Sequence, residues 1–382
     1  MSYTAGSKHR QRCRLSLIGL LIIAASLLLA KPVLAAPAPL GMRGFSYIDP
    51  EFEPHGNRIV FQDSNARAWV GTLDTETGQC ISATCRDVQV ASNLLLGGDP
   101  RYFFNGPEWG VSSAGIGLYL TKYDDAGIAQ SWWVNPDGTG LAQLTFDPGG
   151  AWGGLVSSAP LAPSVRVIVS TGTANDVITG AWFNETDGVL HPMPGFKLNG
   201  QGGQFFVRSA RYAVYAYKVS RKNTQIAVLD TKLQTTEIIT DTPGQKSQSW
   251  GFEFGGVQYV AAVRDLAEIE IYRSGPVPWQ KVATLTPPVP GYLYSTELLG
   301  SSGCFATSIQ DTNDRKNYND AAIYVACMDG SWTRVDDGAP MTRRSEPEAW
   351  WNGRHWLIYY NVNTTTIWVS DPFIPSGKGL RE

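Results

Sequence analysis

"IDPEFEPHGNRIVFQDSNARAWVGTLDTETG", residues 48–78, is the stretch that decides the fold. It opens on Pro50-Glu51-Phe52. An alternating run follows ("RIVFQD"), then a polar turn, then a second alternating run ("ARAWVGT") and a turn rich in Asp, Thr and Gly. Period-two alternation bounded by turn residues marks short antiparallel strands. The pattern returns. "NGPEWGVSSAGIGLYLTKYDD" (105–125) and "SEPEAWWNGRHWLIYYN" (345–361) again set Pro-Glu and an aromatic ahead of a strand. Looser copies carry "YAVYAYKVS" with "TQIAVLD", "VQYVAAVRD" with "EIEIYRSG", and "GCFATSIQD" with "AAIYVACMDG". A fainter copy lies at 152–193, with "VRVIVS" and "TGAWFN".

The copies begin near residues 49, 107, 153, 203, 251, 295 and 346. Their spacing is that of four-stranded propeller blades, roughly 40–50 residues each. One such sheet has two apolar faces and cannot bury both alone; neighbours stacked around an axis bury them. The expected fold is therefore all-β, a seven-bladed β-propeller, with six blades as the alternative count. The last copy runs out in "FIPSGKGLRE" before a fourth strand, while "MRGFSYI" (42–48) reads as a strand ahead of the first copy. That segment is predicted to complete the last blade and close the ring, leaving no open edge.

Residues 1–35 read as a secretory signal peptide: a basic start ("KHRQRCR"), the apolar run "LSLIGLLIIAASLLLA", and "VLA" before "APAP". Residues 36–382 then form one propeller domain, exported to the periplasm or the medium. The leader holds Lys8, Arg10, Arg12, Arg14 and Lys31 and no acid. Removing those five from the 31 basic residues leaves 26 against 34 acidic ones, a net charge of −8. That balance excludes a nucleic-acid partner, which needs a basic footprint. No second long apolar run follows, so a soluble monomer without a membrane span is expected. Four cysteines remain, an even number in an exported chain. Cys80 and Cys85 bracket a short loop, and Cys304 and Cys327 lie on neighbouring strands; disulfides 80–85 and 304–327 are predicted.

"PEFEPHGNRIVFQDSNARAWVGTLDTETG" and "WWVNPDGTGLAQLT" resemble the repeats of TolB-like, PD40-type β-propellers. The match is good over the first two repeats. The resemblance implies the fold and hardly any activity. Related repeats precede the hydrolase domain of prolyl oligopeptidase-type enzymes, but no Gly-x-Ser-x-Gly elbow occurs here.

In such a ring the first strand of each blade lines the axial channel. The proline suits a strand start because it has no N–H to donate. Phe52, Trp109 and Trp350 are expected to wedge between blades, with Trp109 and Trp152 the tryptophans best placed to face the channel. Glu51, Glu108, Glu253, Glu297 and Glu348 hold comparable places in five repeats and are expected at the channel mouth. Turns on the same side add Asp63, Lys122, Asp124, Lys218, Arg264, Asp265 and Asp311. The candidate ligand site is Glu51, Asp63, Glu108, Trp109, Lys122, Asp124, Arg264 and Glu348. His55, His191 and His355 fall at unrelated places, so no metal or cofactor is predicted, and "DTNDRKNYND" (311–320) reads as a solvated turn.

The leading functional reading is a recognition module that binds a glycan, peptide or protein at an acidic channel mouth. The alternative is a glycan-acting hydrolase with Glu51 and Glu108 as paired carboxylates, or a lyase that uses Lys122 or Arg264 against a uronate. A purely structural envelope protein is the third.

Overall fold

Ile59, Val60 and Phe61 point alternately to opposite faces of their sheet, and all three are buried. Across the first hairpin Val60 faces Val70 and Phe61 faces Trp69. A sheet buried on both faces needs a neighbour on each side, and the computed structural model supplies them. The structure describes residues 38–40, 47–54, 56–96, 101–102, 105–112, 115–156, 165–172, 178–197, 203–206, 209, 211–362 and 366–375, and of Ala38, Pro39, Tyr47 and Ile48 the backbone alone.

The described residues form seven four-stranded antiparallel sheets, the blades of a seven-bladed β-propeller; the six-blade count is excluded. Blades 1 to 6 span 47–92, 108–143, 151–193, 203–238, 246–285 and 292–334. The faint repeat at 152–193 is thus a complete blade. Each blade's first strand touches the first strand of the next, and that of blade 7 (Arg344–Trp351) touches that of blade 1 (Tyr47–Phe52), so these strands surround the axis.

Blade 7 takes its fourth strand from the N-terminal side, as expected, but from a different segment. Ala38–Pro39 pairs with Thr366–Val369, and the Leu40 amide donates to the Ile367 carbonyl at 2.8 Å. Leu40 is buried with Phe52, Trp350, Tyr359 and Ile367. Of the expected closing segment, 42–48, Tyr47 and Ile48 instead begin the innermost strand of blade 1, and the rest lies outside the described residues. Just past this short strand one large apolar side chain, Leu40, packs between blades 7 and 1.

Both predicted disulfides are present, with S–S distances of 2.09 Å for Cys80–Cys85 and 2.04 Å for Cys304–Cys327. Cys304 and Cys327 sit directly opposite each other on adjacent strands. A link across that separation of 23 residues removes unfolded-state freedom worth about 3 kcal/mol. The Cys304→Ser/Cys327→Ser variant should therefore melt several degrees below the parent without reductant; equal melting curves would contradict the assignment.

The innermost strands also explain the prolines. In blades 1, 3, 5, 6 and 7 the pairing shifts, at Ile48/Glu51, Trp152/Leu155, Ser247/Trp250, Tyr294/Glu297 and Ser345/Glu348. Two residues there oppose one, which is a β-bulge, and a bulge re-aims the side chains beside it. The first bulged residue is left-handed each time: Asp49 (φ 55°), Gly153 (54°), Gln248 (48°), Ser295 (46°) and Glu346 (52°). The second is Pro50 in blade 1 and Pro347 in blade 7, where the ladder needs no N–H. In blade 6 Thr296 takes that place and its amide donates to Gln248 Oε1 of blade 5 at 2.7 Å. In blades 1, 6 and 7 the residue after the bulge is Glu51, Glu297 and Glu348.

Candidate functional site

The innermost strands bring carboxylates together. Asp49 and Glu51 come from blade 1, Glu108 from blade 2, Glu297 from blade 6, and Glu346 and Glu348 from blade 7. Blades 6, 7, 1 and 2 are consecutive around the ring, so one side of the channel is acidic. A carboxylate oxygen from each of Asp49, Glu51 and Glu348 lies within 4.8 Å of the others. These three and Glu346 are half-buried, while Glu108 and Glu297 are 8% and 9% exposed. The side chains are enclosed by protein yet still reached from the channel.

Burial and crowding raise the carboxyls of this set. Burial raises the Glu51 carboxyl well above its usual range, and the charges of Glu108, Asp49 and Glu297 raise it further. Glu348 is raised well above its range by burial, then by Glu51, Glu297, Asp49 and Glu108. Burial, with Asp49 next, raises Glu108 in the same way, opposed by a hydrogen bond from Asn105 Nδ2 at 3.0 Å. Burial and Asp49 push Glu346 up to about 7, against a 2.7 Å hydrogen bond from Asn361 Nδ2. Asp49 is raised by burial although its Oδ2 accepts the Gly106 amide at 2.6 Å. Glu51 and Glu348 receive no side-chain hydrogen bond from the described residues.

One cation opposes the crowding. Arg315, exposed on the 311–320 turn, lowers Asp49 and Glu346. Its guanidinium lies 5.6 Å from the ring centre of Tyr294, on the innermost strand of blade 6. Tyr294 Oη donates to the Asn313 carbonyl at 2.6 Å and fixes the turn there.

Of the eight residues expected in the site, the structure brings Glu51, Glu108 and Glu348 together, with Glu297. The other five do not join them. Asp63 is fully buried and binds Trp69 Nε1 and Arg67 Nε, both at 3.0 Å, so it locks its own hairpin. Asp124 caps its turn by accepting the Ala126 and Ile128 amides at 2.9 Å. Lys122 lies over the Trp132 ring at 4.6 Å. Arg264 pairs with Glu268 and Glu270. Trp109 is buried, with its indole donating to the Glu51 carbonyl at 3.0 Å, and is the expected wedge between blades; Trp152 is wholly buried beside Tyr102 and faces no channel. Glu253 is exposed opposite Gln258, because Trp250 takes the post-bulge place in blade 5. Asp49 and Glu346 went unread. Their signal was the acid ahead of each Pro-Glu, Asp49-Pro50-Glu51 and Glu346-Pro347-Glu348.

No family model matches the sequence, and no curated protein matches it. Solved structures similar to it share its fold at low identity. An oligogalacturonate lyase from Vibrio parahaemolyticus is 12% identical with a TM-score of 0.55, over 86% of this chain and 90% of that one. The β-propeller domain of Cps50 (Swd1) from Myceliophteria thermophila is 12% identical with a TM-score of 0.58, over 87% and 99%. A prolyl endopeptidase is 12% identical with a TM-score of 0.51, over 96% of this chain and 57% of that one. At this identity the likeness concerns architecture alone.

Proposed function

We propose that the chain is an exported recognition module that takes a positively charged group of a peptide or protein ligand into the acidic side of its axial channel. The observation that carries this is the convergence of six carboxylates from four consecutive blades. A charged cleft with low-dielectric walls concentrates ligands of opposite sign. The two disulfides support export, and the PD40-like repeats of blades 1 and 2 support kinship with TolB-like propellers. The same field disfavours a uronate, and Lys122 and Arg264, the cations a lyase would need, are engaged elsewhere. Trp109, Trp152 and Trp350 are buried and so offer no face for a sugar to stack on.

One observation favours a second reading, a glycan hydrolase: the Glu51 carboxyl, raised well above its usual range, stands beside a second carboxylate, the arrangement of a general acid with its partner.

Fluorescence anisotropy with Lys/Arg-rich and Asp/Glu-rich peptides separates the two. The basic peptides should bind, lose affinity between 20 and 300 mM salt as screening predicts (Debye length about 10 Å at 0.1 M), and lose at least tenfold in Glu51→Gln/Glu348→Gln. Equal binding of acidic and basic peptides would sink the recognition reading; turnover of a neutral polysaccharide, lost in Glu51→Gln, would establish the second.

A further inference from the structure

The trio Asp49, Glu51 and Glu348 brings one oxygen each within a 4.8 Å span. Oxygens this close can share one hard cation such as calcium, whose oxygen shell is flexible, whereas magnesium demands near-ideal octahedral geometry and keeps most of its water. All donors are oxygen, the set preferred by Ca²⁺, Mg²⁺ and Mn²⁺ over zinc or copper. Two of the three, Glu51 and Glu348, take no hydrogen-bond donor from the described protein, so their lone pairs are open on the channel side. A second observation is independent of the acids. Asn361 is 1% exposed, and its amide is held against the cluster by the Nδ2 bond to Glu346 Oε2 at 2.7 Å. Its Oδ1 is buried without any partner. A buried amide oxygen left unpaired is costly, and a cation or its coordinated water satisfies it.

We propose that the channel holds one divalent cation, calcium in an exported protein, bound by Asp49, Glu51 and Glu348 with the Asn361 amide oxygen beside them. This rests on reading the acidic channel as the binding site, and it names an inorganic occupant for part of it. Glu108, Glu297 and Glu346 are the remaining carboxyls of the same cluster. A basic peptide then competes with the ion.

The test uses the mature chain stripped with chelator and titrated by calorimetry at pH 7.5 with CaCl₂ alone, and separately with an arginine-rich peptide. Calcium should bind at one ion per chain, in the range of about 10⁻⁵–10⁻³ M known for sensor and extracellular sites, and raise the melting temperature. Asp49→Asn and Glu348→Gln should each weaken it at least tenfold. Both variants should stay folded, because removing a charge from the cluster relieves repulsion. Asp137→Asn, in an exposed turn far along blade 2, should bind as the parent does. No heat and no thermal shift at 10 mM calcium, or binding indifferent to both site variants, would overturn the cation site. Peptide binding without calcium binding would end this inference and leave the recognition reading standing; failure of both would end both.

Discussion

A chain that begins at residue 41 should melt about 10 °C below one that begins at residue 36. The missing piece is small, but it is the seam of the ring. Leu40 is 1% exposed among Phe52, Trp350, Tyr359 and Ile367, and burying such a side chain contributes about 1.5–3 kcal/mol. Removing it also opens a cavity between blades 7 and 1 and strips the pairing partner from Trp368 and Val369. Together these amount to about 4–6 kcal/mol, a large share of the total for any domain. The bared edge of Thr366–Val369 is a template for pairing with another chain, so the truncated protein should also aggregate on heating. Leu40→Asp isolates the packing from the ladder and should reproduce most of the loss. Scanning fluorimetry at equal protein concentration decides it; overlapping melting curves would mean that the ring closes elsewhere.

The chelated protein should be more stable at pH 5 than at pH 8. The sign follows from the carboxyls. In the unfolded chain Glu titrates near 4.3 and Asp near 3.9. In the folded protein Glu51, Glu108 and Glu348 are held well above that by burial and mutual repulsion, Asp49 is raised, and Glu346 stands at about 7. Above pH 4–5 the folded state therefore binds more protons than the unfolded one. Stability falls as pH rises through that window and on to the folded values. Below it the opposite holds for Asp63 and Asp230, whose carboxyls are lowered; for Asp230 the Arg211 hydrogen bonds are the main cause, and for Asp63 the bonds from Trp69 and Arg67 outweigh its burial. Their stabilisation is lost as pH drops through their folded values, so the optimum lies in mild acid. Glu51→Gln/Glu348→Gln should flatten the decline between pH 5 and 8 and raise the melting temperature at pH 8. A parent whose stability rises over that interval would remove the crowded cluster from the account.

Much of the fold was legible because the repeat is written in side-chain alternation, which survives even where the Pro-Glu heading is lost. Blade 3 shows this: "VRVIVS" and "TGAWFN" were faint as a repeat, yet they pair residue for residue, Val167 with Phe183 and Val169 with Ala181. The seam was harder. Its specificity lies in one side chain, Leu40, within a stretch too short to show alternation. For the site, Glu51 and Glu348 were visible because Pro50 and Pro347 mark the unpaired bulge position, and Glu108 because Pro107 stands just ahead of its strand. Glu253 misled because "GFEF" imitates the heading one turn late; the bulge in blade 5 sits at Gln248 and Ser249, ahead of it. The turn residues misled for another reason. Lying on the same side of the ring does not aim a side chain at the axis, and Asp63, Asp124, Lys122 and Arg264 each satisfy a local partner first.

The central claim is that carboxylates from blades 6, 7, 1 and 2 share one enclosure. A carbon-detected NMR titration of the chelated protein, with side-chain carboxyls labelled, reads it most directly. The account predicts a set of at least three glutamates that still hold their protons when the surface glutamates have lost theirs, with Glu346 at about 7, and a downward move of the remaining members when Glu348→Gln removes one charge. Glutamate carboxyls that all titrate together near 4–4.5, unmoved by that substitution, would contradict it.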